Sequence, residues 1–500
     1  MAQANQNSKS RFVLLPSTNM WNVDMPGTAA TFMKAASRRL HKAPGTKAIL
    51  KAGDVPPLTV IDEVAPHESM LVELSESAFV DLMRAQPGLR VVPVVECRPL
   101  WLRRIDLTPI VSVTKIGIKT PFPISVVADD TGLPIVGADV YAFSDRASQT
   151  GSMGLTNAQG VAPMMLPGTL QVLDVVEVLA PDGYWPAYLR QVNVTPLGVE
   201  LRCAPIDLKA LDVRDHFGLR GTATDGAGVV VAVIDTGATA HKDLVITKGM
   251  NVVKGEDADK YPDQLGHGTH VCGIIAGRGT AGSGTCGVAP GVTLHVYKVF
   301  GKNKETADSF HIAKAIRQAV DDGCDLINLS LGADTDMPDV FREIQRARAL
   351  GVVCLAATGN DYRKPVGYPA RYSQVIAVSA GGRIGTYPAG ASQEMSAVDP
   401  FGKVKDDFVA DFSNIGSNVS LIGPGVGIVS THRRKYAVMD GTSMACPVAT
   451  GALARMLGKN SKILKMDRDQ KRSDAIIKLA LTGAKTLGFR PVFEGSGILV

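Results

Sequence analysis

Three short islands in the C-terminal part of the chain carry residues that could act together on an acyl group. The first, VVVAVIDTG, puts Asp235 at the end of an apolar run, and open α/β sheets expose their working residues at that end of a strand. The second, LGHGTHVCGIIAG, starts a helix of small residues at His267, with Gly268 leaving room for close packing. The third, DGTSMACPVATGALARML, sets Ser443 at a tight turn that opens an apolar helix, with Pro447 tolerable in its first turn. A serine hydroxyl is a poor nucleophile until a base takes its proton. An imidazole can be that base, and a carboxylate can fix its tautomer and stabilise the imidazolium. The start of a helix adds backbone N–H groups and a positive dipole end, both favourable to an oxyanion. Each island also has a plainer reading. Asp235 could cap a turn, Ser443 could be only an N-cap, and His267 with His270 could form a metal pair, although HxxH here lacks the acidic residue of a zinc-protease helix.

The segments around these islands indicate what would position them. From Gly228 onward the runs VVVAVI, LHVYKV, LINLS, VVCLAA and VIAVSA alternate with helical patterns such as that of residues 307–320. The runs do not alternate apolar with polar, the mark of parallel strands buried on both faces, so residues 208–500 read as an α/β domain with a mainly parallel sheet flanked by helices. Residues 1–105 read differently. Strand signals at 11–16, 58–64, 70–74 and 91–95, with helical patterns at 28–40 and 77–85, give the order βαββαβ of an α+β, ferredoxin-like domain. From Pro123 period-2 segments follow one another with turn signals about every 8–12 residues, which predicts a small β-sandwich over residues 106–200.

Composition excludes several classes. Of 500 residues 45% are apolar and 20% charged, too ordinary for a largely disordered chain. A net charge of +5 is too small for a nucleic-acid groove, and the basic clusters at 433–435 and 459–471 read as solvated faces, so no nucleic-acid partner is expected. Seven cysteines, an odd number without a CxxC or Cys/His ligand spacing, predict free thiols in a reducing compartment. The start MAQANQNSKSRFVLLPS lacks a basic region followed by an apolar stretch of about 7–15 residues. There is also no run of about 18 apolar residues. The expectation is a soluble, cytoplasmic protein without a membrane partner.

The order Asp, His, Ser is that of the subtilisin type of triad, and over about residues 208–500 the sequence resembles the subtilisin-like serine protease family. DTG at Asp235, HGTH at His267 and GTSMACP at Ser443 carry the resemblance. The connecting segments GVAPGVTLHVYKV, DLINLSLG, AATGN, GYPARYSQVIAVSA and FSNIGSNVSLIGPG extend it. It implies a serine endopeptidase that cuts protein or peptide substrates through Asp235, His267, Ser443 and an acyl-enzyme intermediate, with no cofactor. It also implies that Asn360 supplies the side-chain donor of the oxyanion hole beside the Ser443 N–H. Ser330, Leu331 and Gly332 become the edge that pairs with substrate backbone, and Ala357, Thr358, Gly359 and Gly367 wall the primary specificity pocket. Gly367 leaves the pocket floor open, predicting large apolar residues before the cut bond, with Asp361 at the rim as a site for Lys. Many family members bind calcium through an Asn-rich loop after the His helix; here that stretch is AGRGTAGSGTCGVAP, and no metal site is assigned. Cys272 and Cys286 flank it and read as buried packing or redox control. Asp257, Asp259 and Asp263 read as a solvated acidic loop or a weak cation site.

Two further resemblances concern the N-terminal halves. MLVELSESAFVDLMRAQPGLRVVPVVE within residues 11–95 is similar to the propeptide inhibitor domain of these proteases. TGLPIVGADVYAF, TNAQG and APDGY, within residues 123–197, are similar to the prealbumin-like sandwich of carboxypeptidase regulatory domains. Together they imply a self-inhibited precursor whose own N-terminal domain is the intramolecular inhibitor. CRPLWLRRIDLTP would then lie extended along the cleft against the Ser330 edge, with autocleavage within residues 100–104. A sandwich between inhibitor and protease departs from the usual arrangement, and three alternatives stand beside this reading. The segment could be a mere linker in an enzyme that works uncleaved, the protein could process one dedicated partner substrate, or it could be a non-catalytic peptide-binding scaffold.

Overall fold

Apolar runs of the C-terminal part lie side by side in one sheet of a computed structural model, which describes residues 9–16, 29–42, 48–52, 55–86, 88–102, 108–109, 119–209, 213–219, 221–280 and 282–500. The strand order is Lys248–Asn251, Thr293–Lys298, Val230–Asp235, Leu326–Leu329, Val353–Ala357 and Ile376–Arg383, every neighbour parallel. Asp407–Ala410 then joins antiparallel. Successive side chains point to opposite faces, and both faces are covered. Val231, Val233 and Val353 pack with the helices His267–Ala276 and Thr442–Gly458, whereas Ala232, Ile234 and Cys354 pack with Ser309–Asp321 and Pro338–Ala349. Thr442–Gly458 is apolar over most of its surface because it is buried from Thr442 to Ala454, with Arg455 pairing Asp225 near its end, and small residues let it sit directly on the sheet. This is an α/β architecture whose mainly parallel sheet is covered by helices on both faces.

The first segment forms an antiparallel sheet in the order Ala48–Ala52, Val55–Glu63, Met70–Ser75, Lys9–Pro16, Leu89–Pro93. Helices Ala29–Lys42 and Glu76–Ala85 cover one face through Phe32, Met33 and Leu82. Ala48–Ala52 is one strand more than the sequence predicts, since five residues are too few to display a period; Thr28, the expected helix start, lies outside the described residues. The second face of this sheet is not left to solvent. Val13, Leu15, Leu71 and Val92 join the core around Phe310 and Ile316, and Asp62 accepts from Lys314 at 2.7 Å and Lys254 at 3.4 Å.

Two further sheets follow. Ala187–Asn193, Val172–Leu179, Asp139–Asp145, Thr150–Leu155 and Thr108–Pro109 make one; Val161–Pro167, Lys119–Ala128 and Val199–Cys203 make the other. Phe122, Val140, Leu166 and Val176 fill the space between them. Tyr141, Phe143 and Val175 face outward onto Met395, and Trp185 is buried within the core of the large sheet.

The strand starts are joined electrostatically. Asp325 accepts from Val230 N at 2.8 Å, from Arg468 at 2.9 Å and from the buried Arg472 at 2.7 Å, while Arg472 also donates to Gly351 O. Removing one partner of such a pair strands the other charge. Arg472→Met is expected to cost about 3 kcal/mol, the lower end for a broken buried pair because Arg468 remains. Urea denaturation should show the loss, and adding Asp325→Asn should recover part of it.

Candidate active site

Asp235 ends a central strand and His267 begins a helix, and the two meet with both side chains buried. His267 Nδ1 lies 2.7 Å from Asp235 Oδ1. A carboxylate only accepts, so Nδ1 carries the proton and Nε2 is left with its lone pair. The helix can start here because Gly266 takes φ +91°, and a Cβ on it would meet His432 Nε2 at 1.8 Å. A Cβ on Gly268 would likewise meet Gly237 O at 2.2 Å, so the strand end and the helix approach backbone to backbone.

Asp263 holds this junction. Its carboxylate accepts from Thr236 Oγ1 at 2.8 Å, Gly266 N at 2.7 Å, Thr269 N at 2.8 Å and Thr269 Oγ1 at 2.6 Å. A negative charge at a helix N-terminus is favourable in itself. The three aspartates of the acidic stretch therefore separate: Asp257 and Asp259 are exposed, whereas Asp263 is buried and committed to the helix start. Lys298 Nζ donates to Thr236 O at 2.9 Å; burial lowers its pKa, against the opposing pull of Asp263, Glu256 and Asp235. Lys298 escapes the sequence reading, and Asp263 enters it only as part of a solvated acidic loop or weak cation site, which its burial corrects. The available signal was a carboxylate a few positions ahead of a helix-starting Gly-His.

Ser443 stands in the first turn of Thr442–Gly458. Its N–H donates to Leu100 O at 3.0 Å, and its Oγ donates to Ser330 O at 2.8 Å. The expected Ser443 to His267 bond is thus not made, and Nε2 of His267 has no hydrogen-bond partner. Trp101 packs edge-on against the imidazole with ring centroids 4.9 Å apart, and the hydroxyl takes the carbonyl acceptor. Asn360 Oδ1 accepts from Thr442 N at 2.9 Å and Thr442 Oγ1 at 2.8 Å, which fixes the amide and leaves Nδ2 buried without a partner. A Cβ on Gly441 would meet Leu100 O at 2.5 Å and Asn360 Nδ2 at 3.1 Å. Leu100 O, Asn360 Nδ2 and Ser443 N therefore share one small space that only a glycine leaves open.

The chain supplies its own occupant for the groove. Strand Glu96–Pro99 runs between Ala307–Asp308 and Leu331–Gly332, antiparallel to both, with Pro99 opposite Leu331 and Arg98 opposite Gly332. Leu100 N continues the ladder to Ser330 O at 3.3 Å, and Leu102 N donates to Asp440 O at 2.9 Å. Leu100 Cδ1 lies 3.1 Å from where a Cβ on Gly332 would be. Behind it Ala357 ends a strand, Gly359 N reaches Thr442 Oγ1 and Gly367 N bonds Thr358 O at 2.9 Å. One oxygen of Asp361, the residue expected at the rim as a site for Lys, accepts from Asn414 Nδ2 at 2.9 Å. Arg103 and Arg104 lie outside the described residues.

The metal reading of His270 does not survive the geometry. Its Nε2 faces Ala437 O at 3.1 Å, and burial, then the nearby His432, pull its pKa down to about 3. Among the described residues no three His, Cys, Asp or Glu side chains converge as ligands. Cys272 is buried and its thiol raised by burial, while Cys286 is half-buried; neither forms a disulfide.

Residues 226–489 match the subtilase family. The chain is 36% identical to subtilisin BL of Lederbergia lenta over 236 residues, 47% of this chain and 78% of that protein. It is similarly 36% identical to subtilisin DY of Bacillus licheniformis over 240 residues, again 47% of this chain and 78% of the relative. An intracellular serine protease of Paenibacillus polymyxa is 33% identical over 322 residues, 62% of this chain and 86% of the relative. Asn360→Ala should lower kcat for amide hydrolysis by about 10²–10³ with little change in KM, because the donor acts on the tetrahedral oxyanion. Steady-state kinetics check it, and an unchanged kcat would remove Asn360 from the site.

Proposed function

The chain belongs to the subtilase family and is a serine endopeptidase, and from that premise we propose that Asp235, His267 and Ser443 are its triad and that the precursor cuts itself between Leu100 and Trp101. The observation that carries this reading is the placement of one peptide bond. Leu100 O accepts from Ser443 N, beside an Asn360 amide whose Nδ2 has no hydrogen-bond partner.

In this mechanism Ser443 Oγ turns to His267 Nε2, gives up its proton and attacks the Leu100 carbonyl carbon. The carbonyl oxygen becomes an anion held by Ser443 N–H and Asn360 Nδ2. As the C–N bond breaks, His267 returns the proton to the Trp101 nitrogen, and a water then hydrolyses the acyl-enzyme by the same two proton transfers in reverse. Asp235 stabilises each imidazolium. Ser330, Leu331 and Gly332 align the chain before the cut, while Ala357, Thr358, Gly359 and Gly367 receive its large apolar side chain, Leu100 in the precursor. The protein substrates of the mature enzyme present a similar residue.

Residues 1–105, with their antiparallel sheet and two helices, are in this reading a propeptide-inhibitor domain of ferredoxin-like type, and residues 106–200 a prealbumin-like sandwich next to the catalytic 208–500. Support for inhibition comes from three joint attachments: the apolar face of Val13 and Leu71 on Phe310, the Asp62 ion pairs, and strand Glu96–Pro99 in the groove. The seven free cysteines and the likeness to a relative named an intracellular serine protease support a cytoplasmic setting. No helix among the described residues is long and apolar enough to cross a membrane.

Mass spectrometry of purified chains tests the precursor. Wild type should appear as two pieces divided after Leu100 and Ser443→Ala as one, and the fragment ending at Leu100 should inhibit the remainder when added back. An intact, active wild type indifferent to that fragment would end the precursor reading and leave the protease standing. Since no ligand set for calcium is assigned, a chelator is expected to shift the melting temperature little; a loss of many degrees in EDTA would reveal a structural metal.

A further inference from the structure

Beyond the Leu100 carbonyl the chain enters a cavity of about 690 Å³ whose walls belong to two folding units. One wall is the hairpin of Ile428–His432 and Lys435–Met439, which leads directly into Asp440 and the Ser443 helix. The other is the sandwich, through Pro134, Ile135, Val136 and the segment around Tyr184. Trp101 and Leu102 line the same space, and Leu102 N is bonded to Asp440 O.

The two walls are fixed to each other. His432 Nδ1 lies 2.7 Å from Asp182 Oδ1, Gly183 N donates to Tyr436 O at 3.0 Å and Ser392 N to Pro186 O at 3.3 Å. Between these bonds Trp185 is only 4% exposed. Such a site is formed in advance and costs little ordering when filled. Its lining mixes both signs, Arg433 and Lys435 with Asp139, Asp182 and Asp440, so charge alone selects no single class of side chain. Its apolar surface does offer selection: Val136 is 55% exposed and faces open space beside Leu179. The volume is in the range of about 300–1,000 Å³ that takes a compact organic group, enough for two or three side chains.

We propose that this cavity receives the residues of a protein substrate that follow the cut bond, and that the sandwich thereby selects a bulky apolar pair at those two positions, as Trp101 and Leu102 are in the chain's own segment. The inference rests on the catalytic reading above and adds a substrate requirement to it. The sandwich becomes a specificity element of the protease, acting on the leaving side of the reaction while the Ser330 edge acts on the acyl side.

Three substrates sharing Arg-Pro-Leu before the cut bond test it on the processed enzyme. One is the p-nitroanilide, which carries nothing beyond the bond; the others are fluorogenic peptides continuing as Trp-Leu or as Gly-Gly. The Trp-Leu peptide should exceed Gly-Gly in kcat/KM by about tenfold or more, the discrimination an apolar pocket can give. Val136→Arg, which puts a charge into the cavity from the sandwich side, should bring that ratio close to one. Equal values for the two peptides in wild type, or an unchanged ratio in Val136→Arg, would overturn the proposal, the first also if the processed chain's own Trp101 keeps the cavity filled. Failure to hydrolyse even the p-nitroanilide would instead strike the catalytic reading. A second measurement does not depend on that variant folding: in the full precursor, Trp101→Gly with Leu102→Gly should slow the cut after Leu100 by a similar factor, and an unchanged rate would count against the cavity.

Discussion

A carboxylate with no access to water, Asp235, sits where a strand gives way to a helix, and nearly everything around it serves to make that position tolerable. A carboxylate in such a place depends on the donors that reach it, and here they converge on one oxygen and leave Oδ2 buried without a partner. His267 Nδ1 and Thr236 N both reach its Oδ1 at 2.7 Å. Thr236 is in turn held from both ends, its hydroxyl by Asp263 and its carbonyl by Lys298. The acid, the base and the helix that carries the base are thus parts of one hydrogen-bonded assembly, and the glycines at 266 and 268 exist because a side chain would push it apart.

The groove uses a different principle. The strand Glu96–Pro99 is seated by main-chain hydrogen bonds on both sides, which bind any extended segment with little regard to sequence. Selectivity then has to come from where alternate side chains land. Cys97 is buried with its sulfur 3.2 Å from that of Met337, and Leu100 enters the space beside Gly332. Joining this strand to a sheet already docked on Phe310 makes its binding intramolecular, so weak contacts act at high effective concentration.

The amino-acid sequence announces some of this and conceals the rest for identifiable reasons. The central strands are legible because burial on both faces leaves continuous apolar runs, and the neighbourhood of Asp235 and His267 follows from a strand end and a helix start that a parallel sheet brings together. Asn360 has no signature beyond its resemblance to a family pattern, because the orientation of its amide is fixed by Thr442 from 82 residues away. Asp263 looks like its exposed neighbours Asp257 and Asp259; only the fold distinguishes a buried carboxylate from a solvated one. The rotamer of Ser443 was beyond reach as well, since its hydroxyl bonds Ser330 O, which comes from a distant part of the chain.

Trp185 belongs to the sandwich by sequence position and to the catalytic core by contact. A unit that lends its largest side chain to a neighbour's interior is no longer a portable cassette. Cutting the gene at the sandwich boundary would leave an indole-sized void beside Gly427 in one product and an exposed apolar tryptophan in the other. An exchange of this sandwich without its host would carry both costs, even though the two parts are built on different plans.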